Sequence, residues 1–451
     1  MTSLASSRAR GVGGIGLAIM MLPACSEEHT VEFPRTIELP FLCRRRATLD
    51  KRVYSHRGFE DITFTYPSSV MTERANSEEI RLIRETAKRF LSAEVGPYYD
   101  EWEEAGIYPR ELWNKLGDAG LLCMDIPEQY GGGGATIDAQ IALTWEIFRE
   151  GYASLGGIGV HSDIVAHYIL NHGTEDQKQA YLPKMASGEY VASVLMTEPG
   201  AGSDLQGVGT VAERVPEGFK ISGAKTFITN GQHSNLGVVV AKTNLDVKAS
   251  SGTSLFFVDL NQEGVTRGRN LKKIGMHSAD TSELFFEDVV VDESALLGPL
   301  NGGFIVLMQE LARERLGLAL SAVAACRGAL DITIEYVKER KAFGRSIAQF
   351  QNTRFRIAEM ETRYALNKAF VDHCYRLFVD KKLDAATASM AKLASTEAQS
   401  DIADGCLQLF GGYGYMAEYP ISRFYVDARV QRIYGGTSEI MKEIISRSVL
   451  G

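Results

Sequence analysis

Apolar residues first recur at helical spacing at Ile80, Ile83, Ala87, Phe90 and Leu91, just after Asn76 and Glu79, which are spaced as a capping box. Helical patterning broken by short turns at 129–134 and 172–176 continues to about Glu189, which predicts a helical domain. After Gly188 the texture changes. Short runs rich in Val, Phe, Ile and Thr occupy 190–196, 219–221, 226–228, 237–241, 254–260, 282–286 and 289–291, separated by Gly, Asn, Asp and Ser. They predict one antiparallel sandwich or barrel inserted between helical regions. From Asn301-Gly302-Gly303 onward helical periodicity returns in long segments ending near Gly344, Asp380 and Gly412, the pattern of an antiparallel bundle. The expected division is therefore 71–190 helical, 191–300 β and 301–451 helical.

Residues 1–70 follow none of these periods. Arg8 and Arg10 precede an apolar run from Gly11 to Ala24, too short to span a bilayer, and no integral membrane span is expected. Three readings stay open: a lipoprotein-like cleavage site at Leu22-Pro23-Ala24-Cys25, an organellar transit peptide, or an unstructured extension ahead of a functional start at Met71. They decide between a bacterial cytoplasmic protein and one of the mitochondrial matrix.

The formal charge of −9, with no basic stripe beyond Arg44-Arg45-Arg46, argues against nucleic acid as the main partner. The six cysteines show no Cys-x-x-Cys spacing, so neither a zinc site nor a disulfide framework is expected. Cys326 and Cys406 lie in helical patterns where a thiol is usually a small buried apolar group.

Candidate chemistry concentrates in glycine-broken turns. In Tyr434-Gly435-Gly436-Thr437-Ser438, two glycines let backbone approach a ligand just where Thr437 and Ser438 suit a helix start, although the same residues would also serve as a plain helix cap. A second turn, Leu195-Met196-Thr197-Glu198-Pro199-Gly200-Ala201-Gly202-Ser203-Asp204, offers amides, hydroxyls and acids at the end of a strand. This string resembles a signature of the acyl-CoA dehydrogenase family, and later segments resemble the same family in order over about 75–450. Lys225-Thr226-Phe227-Ile228-Thr229-Asn230-Gly231 resembles its second flavin-contacting strand, with Phe227 where many members have tryptophan. Glu339-Arg340-Lys341-Ala342-Phe343-Gly344 and Gln351 resemble the segment that reaches the FAD of a neighbouring subunit, where the fixed donor fork of Arg340 suits a pyrophosphate. Gln408-Leu409-Phe410-Gly411-Gly412-Tyr413-Gly414, followed by Glu418-Tyr419-Pro420, resembles a second signature near the adenine half of FAD.

The resemblance implies an α+β multidomain fold: an N-terminal helical domain, a middle antiparallel β-sandwich or barrel, and a C-terminal four-helix bundle. It also implies FAD-dependent oxidation of an acyl-CoA to the trans-2-enoyl-CoA, in a homotetramer that passes electrons to an electron-transfer flavoprotein. A carboxylate must take the α-proton while donors hold the thioester oxygen. Many members carry that acid just before Gly-Thr in the C-terminal turn, where this chain has Gly435. The subgroup containing the long-chain and isovaleryl enzymes uses a glutamate on an earlier helix, and Leu311-Ala312-Arg313-Glu314-Arg315-Leu316 resembles that segment. Glu314 is thus the expected base, although Glu310, Arg313, Glu314 and Arg315 read alone would be an ordinary solvated face. By the same resemblance Ser203 and Arg315 contact the substrate, Gly435 and Gly436 line the thioester, and Thr437 and Glu439 flank the flavin. Two rivals remain: an acyl-CoA oxidase of the same fold, which usually has a longer C-terminal part, and a catalytically silent flavoprotein, which would have no chemical need for Glu314.

Overall fold

A computed structural model describes residues 78–451; the 1–70 segment, the Asn76 cap, Cys25, Cys43 and the arginine cluster lie outside the described residues. The chain enters through α1 (Glu78–Phe90), α2 (Tyr99–Ala105), α3 (Glu111–Asp118) and α4 (Ile137–Arg149). A π-helical turn, Val160–Val165, runs directly into α5 (Ala166–His172), and α6 (Glu175–Ala186) follows, opened by a capping box between Thr174 and Gln177.

Eight strands come next: β1 (Ala192–Leu195), β2 (Val211–Val215), β3 (Gly218–Thr229), β4 (Leu236–Lys242), β5 (Thr253–Asp259), β6 (Val265–Asn270), β7 (Thr281–Val291) and β8 (Leu296–Leu297). Their sheet is largely antiparallel, in the order β6-β7-β3-β2-β4-β5-β8. It differs from the expected all-antiparallel sheet in two places. β1 lies parallel to β4, with Ala192 opposite Leu236, and Val211 of β2 meets Lys242 of β4 in parallel. The long chain between β1 and β4 supplies the crossover a parallel pair needs. The runs expected at 219–221 and 226–228 are one strand, β3, whose ladder slips between Ile221 and Gly223 and again between Lys225 and Ile228.

Both faces of the central strands are covered. Along β4, Leu236, Val238 and Val240 pack into the cluster holding Ile169, Leu182 and Met185 of the helices. The alternate residues Val239 and Ala241 pack with Phe219, Ile221, Leu284 and Phe286 of β3 and β7. That period of two, apolar on both faces, is why the middle segment carries continuous Val-rich runs.

The C-terminal bundle consists of three long helices, α7 (Gly303–Glu339), α8 (Gln351–Val379) and α9 (Ala385–Phe410), with two shorter ones, α10 (Pro420–Gln431) and α11 (Ser438–Leu450). A small hairpin, β9 (Lys341–Ala342) and β10 (Arg345–Ser346), joins α7 to α8. By length and composition alone α7 could cross a bilayer, but its apolar stretch is mostly buried inside the protein, as in a core helix. Leu316, Ala319, Val323 and Leu330 share one core with Leu143 and Ile147 of α4 and Tyr375 of α8.

The α4 and α7 backbones meet at Gly328, where an added Cβ would lie 2.0 Å from the Arg149 carbonyl oxygen and 2.9 Å from the Phe424 ring. Gly328→Ala is expected to lower stability by about 1–3 kcal/mol through overpacking, despite alanine's better helix propensity. Urea unfolding of the two proteins checks this, and an equal or more stable variant would show that the crossing can relax.

Candidate active site

Glu314 sits in the first third of α7, part-buried, with the Tyr168 hydroxyl of α5 donating to its Oε1 at 2.7 Å. Burial raises its pKa above the ordinary glutamate value; the Tyr168 hydrogen bond and the neighbouring Arg315 charge pull it back, and Glu310 pushes it up. The residues around it are locked in place. Arg313 pairs with Asp125 at 2.6 Å and with Asp163 at 3.2 Å, while His172 and Asn171 both reach Glu310 at 2.9 Å. The solvated charged face that these residues suggest in isolation is in fact an interhelical contact.

Leu318, one turn after Glu314 on the same side of α7, brings the C-terminal turn to this place. A Cβ built on Gly435 would lie 2.2 Å from Leu318 Cδ1. Gly435 and Gly436 both have left-handed backbone, φ +61° and +96°, which a side chain would strain. The turn is tied to two helices. Gln431 donates to Ser321 of α7 at 3.3 Å, and Arg432 and Ser438 both donate to Glu397 of α9 at 3.0 and 2.9 Å. Lys392 of α9, fully buried, donates to the Gly436 carbonyl at 2.5 Å. Burial and the nearby charge of Arg315 push the Lys392 pKa down to about 8. Arg315 is buried too, donating to Ser389 at 3.3 Å, with no partner for its Nε. Thr437 caps α11 by accepting from Ile440 N–H at 3.3 Å, and Glu439 is exposed in the first turn.

The strand residues form a second group. Thr197 accepts from Thr226 N–H at 2.9 Å, and Ser193 of β1 donates to the Thr229 carbonyl at 2.9 Å, so 195–197 and 226–229 lie side by side. Leu195 and Ile228 are core residues, Met196 and Thr197 are part-buried, and Ser203 is exposed on the following turn. The β3 slip puts Phe227 at φ +58° with its ring 66% exposed. A bulky side chain held in that backbone region, with its apolar face open, is strain of the kind stored at ligand sites. Two residues earlier Lys225 is buried and bonded to Glu198 at 2.7 Å, while Glu198 accepts from Gly209 and Thr210. This pair pins the turn that carries Ser203. Asn230 and His161 tie the same strands back to the helix of Tyr168, through Gly157 O at 2.9 Å and Ala192 N–H at 3.1 Å.

The third group lies at the far end of α7. Arg340, Gln408, Gly411 and Gly412 line a cavity of about 510 Å³ with Tyr336, Phe410 and Tyr413. The Arg340 guanidinium sits 5.3 Å from the Tyr413 ring, and Tyr336 stacks on Phe410. Aromatic walls with one guanidinium fit a nucleotide base and an adjoining phosphate, and the exposed Phe227 fits a flat heteroaromatic ring. Phe343, 94% exposed at φ +51°, forms with Gly344 the two-residue turn of the β9–β10 hairpin, near the exposed Gln351.

The structure therefore brings Glu314, Arg315, Gly435 and Gly436 together, but not with Arg340, Phe343, Gln351, Gln408, Gly411 and Gly412. Arg340, the C-cap of α7, lies 26 residue steps beyond Glu314, about 39 Å along the helix at 1.5 Å per residue, further than one extended dinucleotide reaches. Tyr168, Leu318, Lys392 and Glu397 carry no local sequence signal and come to the site only through tertiary packing. Among the described residues no cluster of three or more metal-ligating side chains occurs.

Family models for the N-terminal, middle and C-terminal domains of acyl-CoA dehydrogenase match residues 77–189, 193–289 and 301–450. The chain belongs to the acyl-CoA dehydrogenase family. It is 47% identical over 403 residues to the mitochondrial long-chain specific acyl-CoA dehydrogenase of Rattus norvegicus, covering 88% of this chain and 93% of that protein. The mitochondrial isovaleryl-CoA dehydrogenase of Pongo abelii is 36% identical, covering 82% and 89%. A crystal structure of an acyl-CoA dehydrogenase from Geobacillus kaustophilus superposes with TM-score 0.81 at 44% identity, covering 83% of this chain and 99% of that one. Members of this family are flavin-dependent oxidoreductases acting on CH–CH bonds, and the helix–sheet–helix order described above is theirs.

Lys225→Met is expected to strand the buried Glu198 carboxylate and cost about 3–5 kcal/mol. Chemical denaturation measures it; a loss below about 1 kcal/mol would show that Glu198 finds water or another donor once the lysine is gone.

Proposed function

We propose that the chain dehydrogenates a fatty or branched acyl-CoA at Cα–Cβ to the trans-2-enoyl-CoA, with Glu314 as the α-proton acceptor and FAD as cofactor. The observation that carries this reading is that Leu318, one turn along α7 from Glu314, packs against a left-handed Gly435-Gly436 turn. The turn has no acid of its own, and Leu318 fills the space where a side chain at 435 would begin. Glu314 Oε2 takes the proton as the α C–H bond breaks, and an N–H of the turn donates to the thioester oxygen where negative charge develops. Arg315 and Lys392, two buried cations beside the turn, favour that charge through a low-dielectric path. When bound, the flavin supplies the acceptor for the hydride leaving the β-carbon. Leu195, Met196, Thr197, Phe227, Ile228 and Thr229 would hold its ring, with Thr437 and Glu439 at its flank, and Ser203 and Arg315 would hold the CoA thioester.

The length of α7 supports the remaining assignments. Arg340, Phe343, Gln351, Gln408, Gly411 and Gly412 serve the FAD of a neighbouring copy, as a homotetramer allows, and the exposed Phe343 turn suits insertion into that neighbour. Electrons leave through an electron-transfer flavoprotein. The cytoplasm of a bacterium is the proposed place of action, with the mitochondrial matrix as the alternative that a transit peptide in residues 1–70 would entail.

Glu314→Gln is expected to keep its flavin and bind acyl-CoA while flavin reduction by substrate slows by about 10²–10⁴-fold, the usual worth of a positioned base. Anaerobic stopped-flow bleaching of the flavin across straight and branched acyl-CoAs tests this, and rapid bleaching in the variant would overturn the assignment.

The raised pKa of Glu314 gives the pH dependence its sign. The carboxylate is the competent form, so reduction should fall as pH drops through a midpoint above the ordinary glutamate range. A rate that is flat down to pH 4 would contradict it.

Arg340→Ala should lose FAD and dissociate the oligomer together, as read by flavin absorbance in size-exclusion chromatography. A variant that stays fully yellow and assembled would rule out the inter-subunit role.

A further inference from the structure

Tyr168 lies on α5, fully buried, and its hydroxyl makes the one hydrogen bond that the Glu314 carboxylate receives among the described residues. The contact is part of a ladder between two helices. Asp163 meets Arg313, Tyr168 meets Glu314, and Asn171 and His172 meet Glu310. Asp163 and Tyr168 are five residues apart, a spacing that would put them on different faces of a regular α-helix. The π-helical turn Val160–Val165, with its i→i+5 bonding, rephases the chain so that both face α7. A single-turn π segment beside a reacting group is where such irregularities concentrate.

We propose that Tyr168 is a positioning residue for the base, its hydroxyl holding Glu314 Oε1 so that Oε2 is the oxygen presented to the substrate α-carbon. This rests on Glu314 being the base. The carboxylate has two equivalent oxygens and a flexible stem, and only an oriented one removes a proton efficiently. A fully buried phenol is a rigid donor, fixed by its ring packing, and it cannot follow Glu314 to other rotamers.

The same bond offsets the burial that disfavours the ionised carboxylate. The titratable and charged groups around Glu314 are Glu310, Arg313 and Arg315 on its own helix, Asp125 and Asp163 paired with Arg313, His172 bonded to Glu310 from α5, and Lys392 beyond Arg315 on α9. None of them donates a hydrogen bond to Glu314. Tyr168 therefore joins the orientation of the base and its state of charge in one contact.

Tyr168→Phe removes the donor and keeps the ring. In the flavin-loaded oligomer, the high-pH plateau of flavin reduction should fall by about tenfold, and the acid midpoint should rise by about one pH unit. Flavin content, melting temperature and the Kd for a non-reducing acyl-CoA analogue should change little, which a general disruption of packing would not allow. Tyr168→Leu, lacking both ring and donor, should reproduce the midpoint shift with a larger loss of stability. Rapid reduction retained by Glu314→Gln would overturn the base and the role of Tyr168 with it. An inert Glu314→Gln alongside a Tyr168→Phe profile that matches the unmodified protein would overturn Tyr168 alone.

Discussion

The structure depends on α7 being a rod. Its 37 residues are held by core packing along most of their length, so the distance between its two ends is set by helix rise and cannot be adjusted by loops. Glu314 near one end and Arg340 at the other are kept apart. Everything else in the C-terminal half is arranged around that separation: α9 places Lys392 and Glu397 under the glycine turn at one end, and Gln408, Gly411 and Gly412 in the cavity at the other.

Around Glu314, two requirements conflict and the surroundings reconcile them. A base aimed at a weakly acidic C–H must be shielded from water, yet shielding makes it harder to ionise. Tyr168 and Arg315 counter the burial directly, while the Asp125–Arg313–Asp163 network fixes the preceding turn of α7 with paired charges. Against its burial, the His167 hydrogen bond and the Arg313 charge hold Asp125 down at about 2, whereas burial pushes Asp163 up to about 6 in spite of Arg313. The sheet contributes backbone strain at the left-handed Phe227, two residues along β3 from Lys225, which is buried against Glu198.

Much of this was legible in the sequence, and the rest was hidden for physical reasons. α8 and α9 end where the aspartate and glycine signals put them, at Asp380 and Gly411, whereas α7 stops at Glu339, ahead of Gly344, because the β9–β10 hairpin begins there. β4 and β5 announce themselves by apolar residues on both faces, whereas β2 and β6 escape notice because Arg214, Arg267 and Arg269 interrupt the apolar pattern. β3 reads as two pieces because Ser222, Gly223 and Lys225, at and beside its register shifts, resemble turn chemistry, and Lys225 turns inward to Glu198. Glu314 could be singled out as the proposed base from a resemblance and a missing acid at 435. That the charged residues beside it face another helix could not, since Asp125, Asp163, Tyr168 and His172 lie more than a hundred residues away in sequence.

The left-handed turn at Gly435 and Gly436 bears on how such sites change over time. Its contribution is a backbone path, and a path can stay fixed while the proton acceptor is supplied from whichever neighbouring element reaches the same point in space. In the proposed site that element is α7, and Leu318 occupies the room at 435. A side chain added at 435 would have to displace Leu318 and adopt a left-handed backbone, so the turn is open to an acceptor from outside and closed to one of its own.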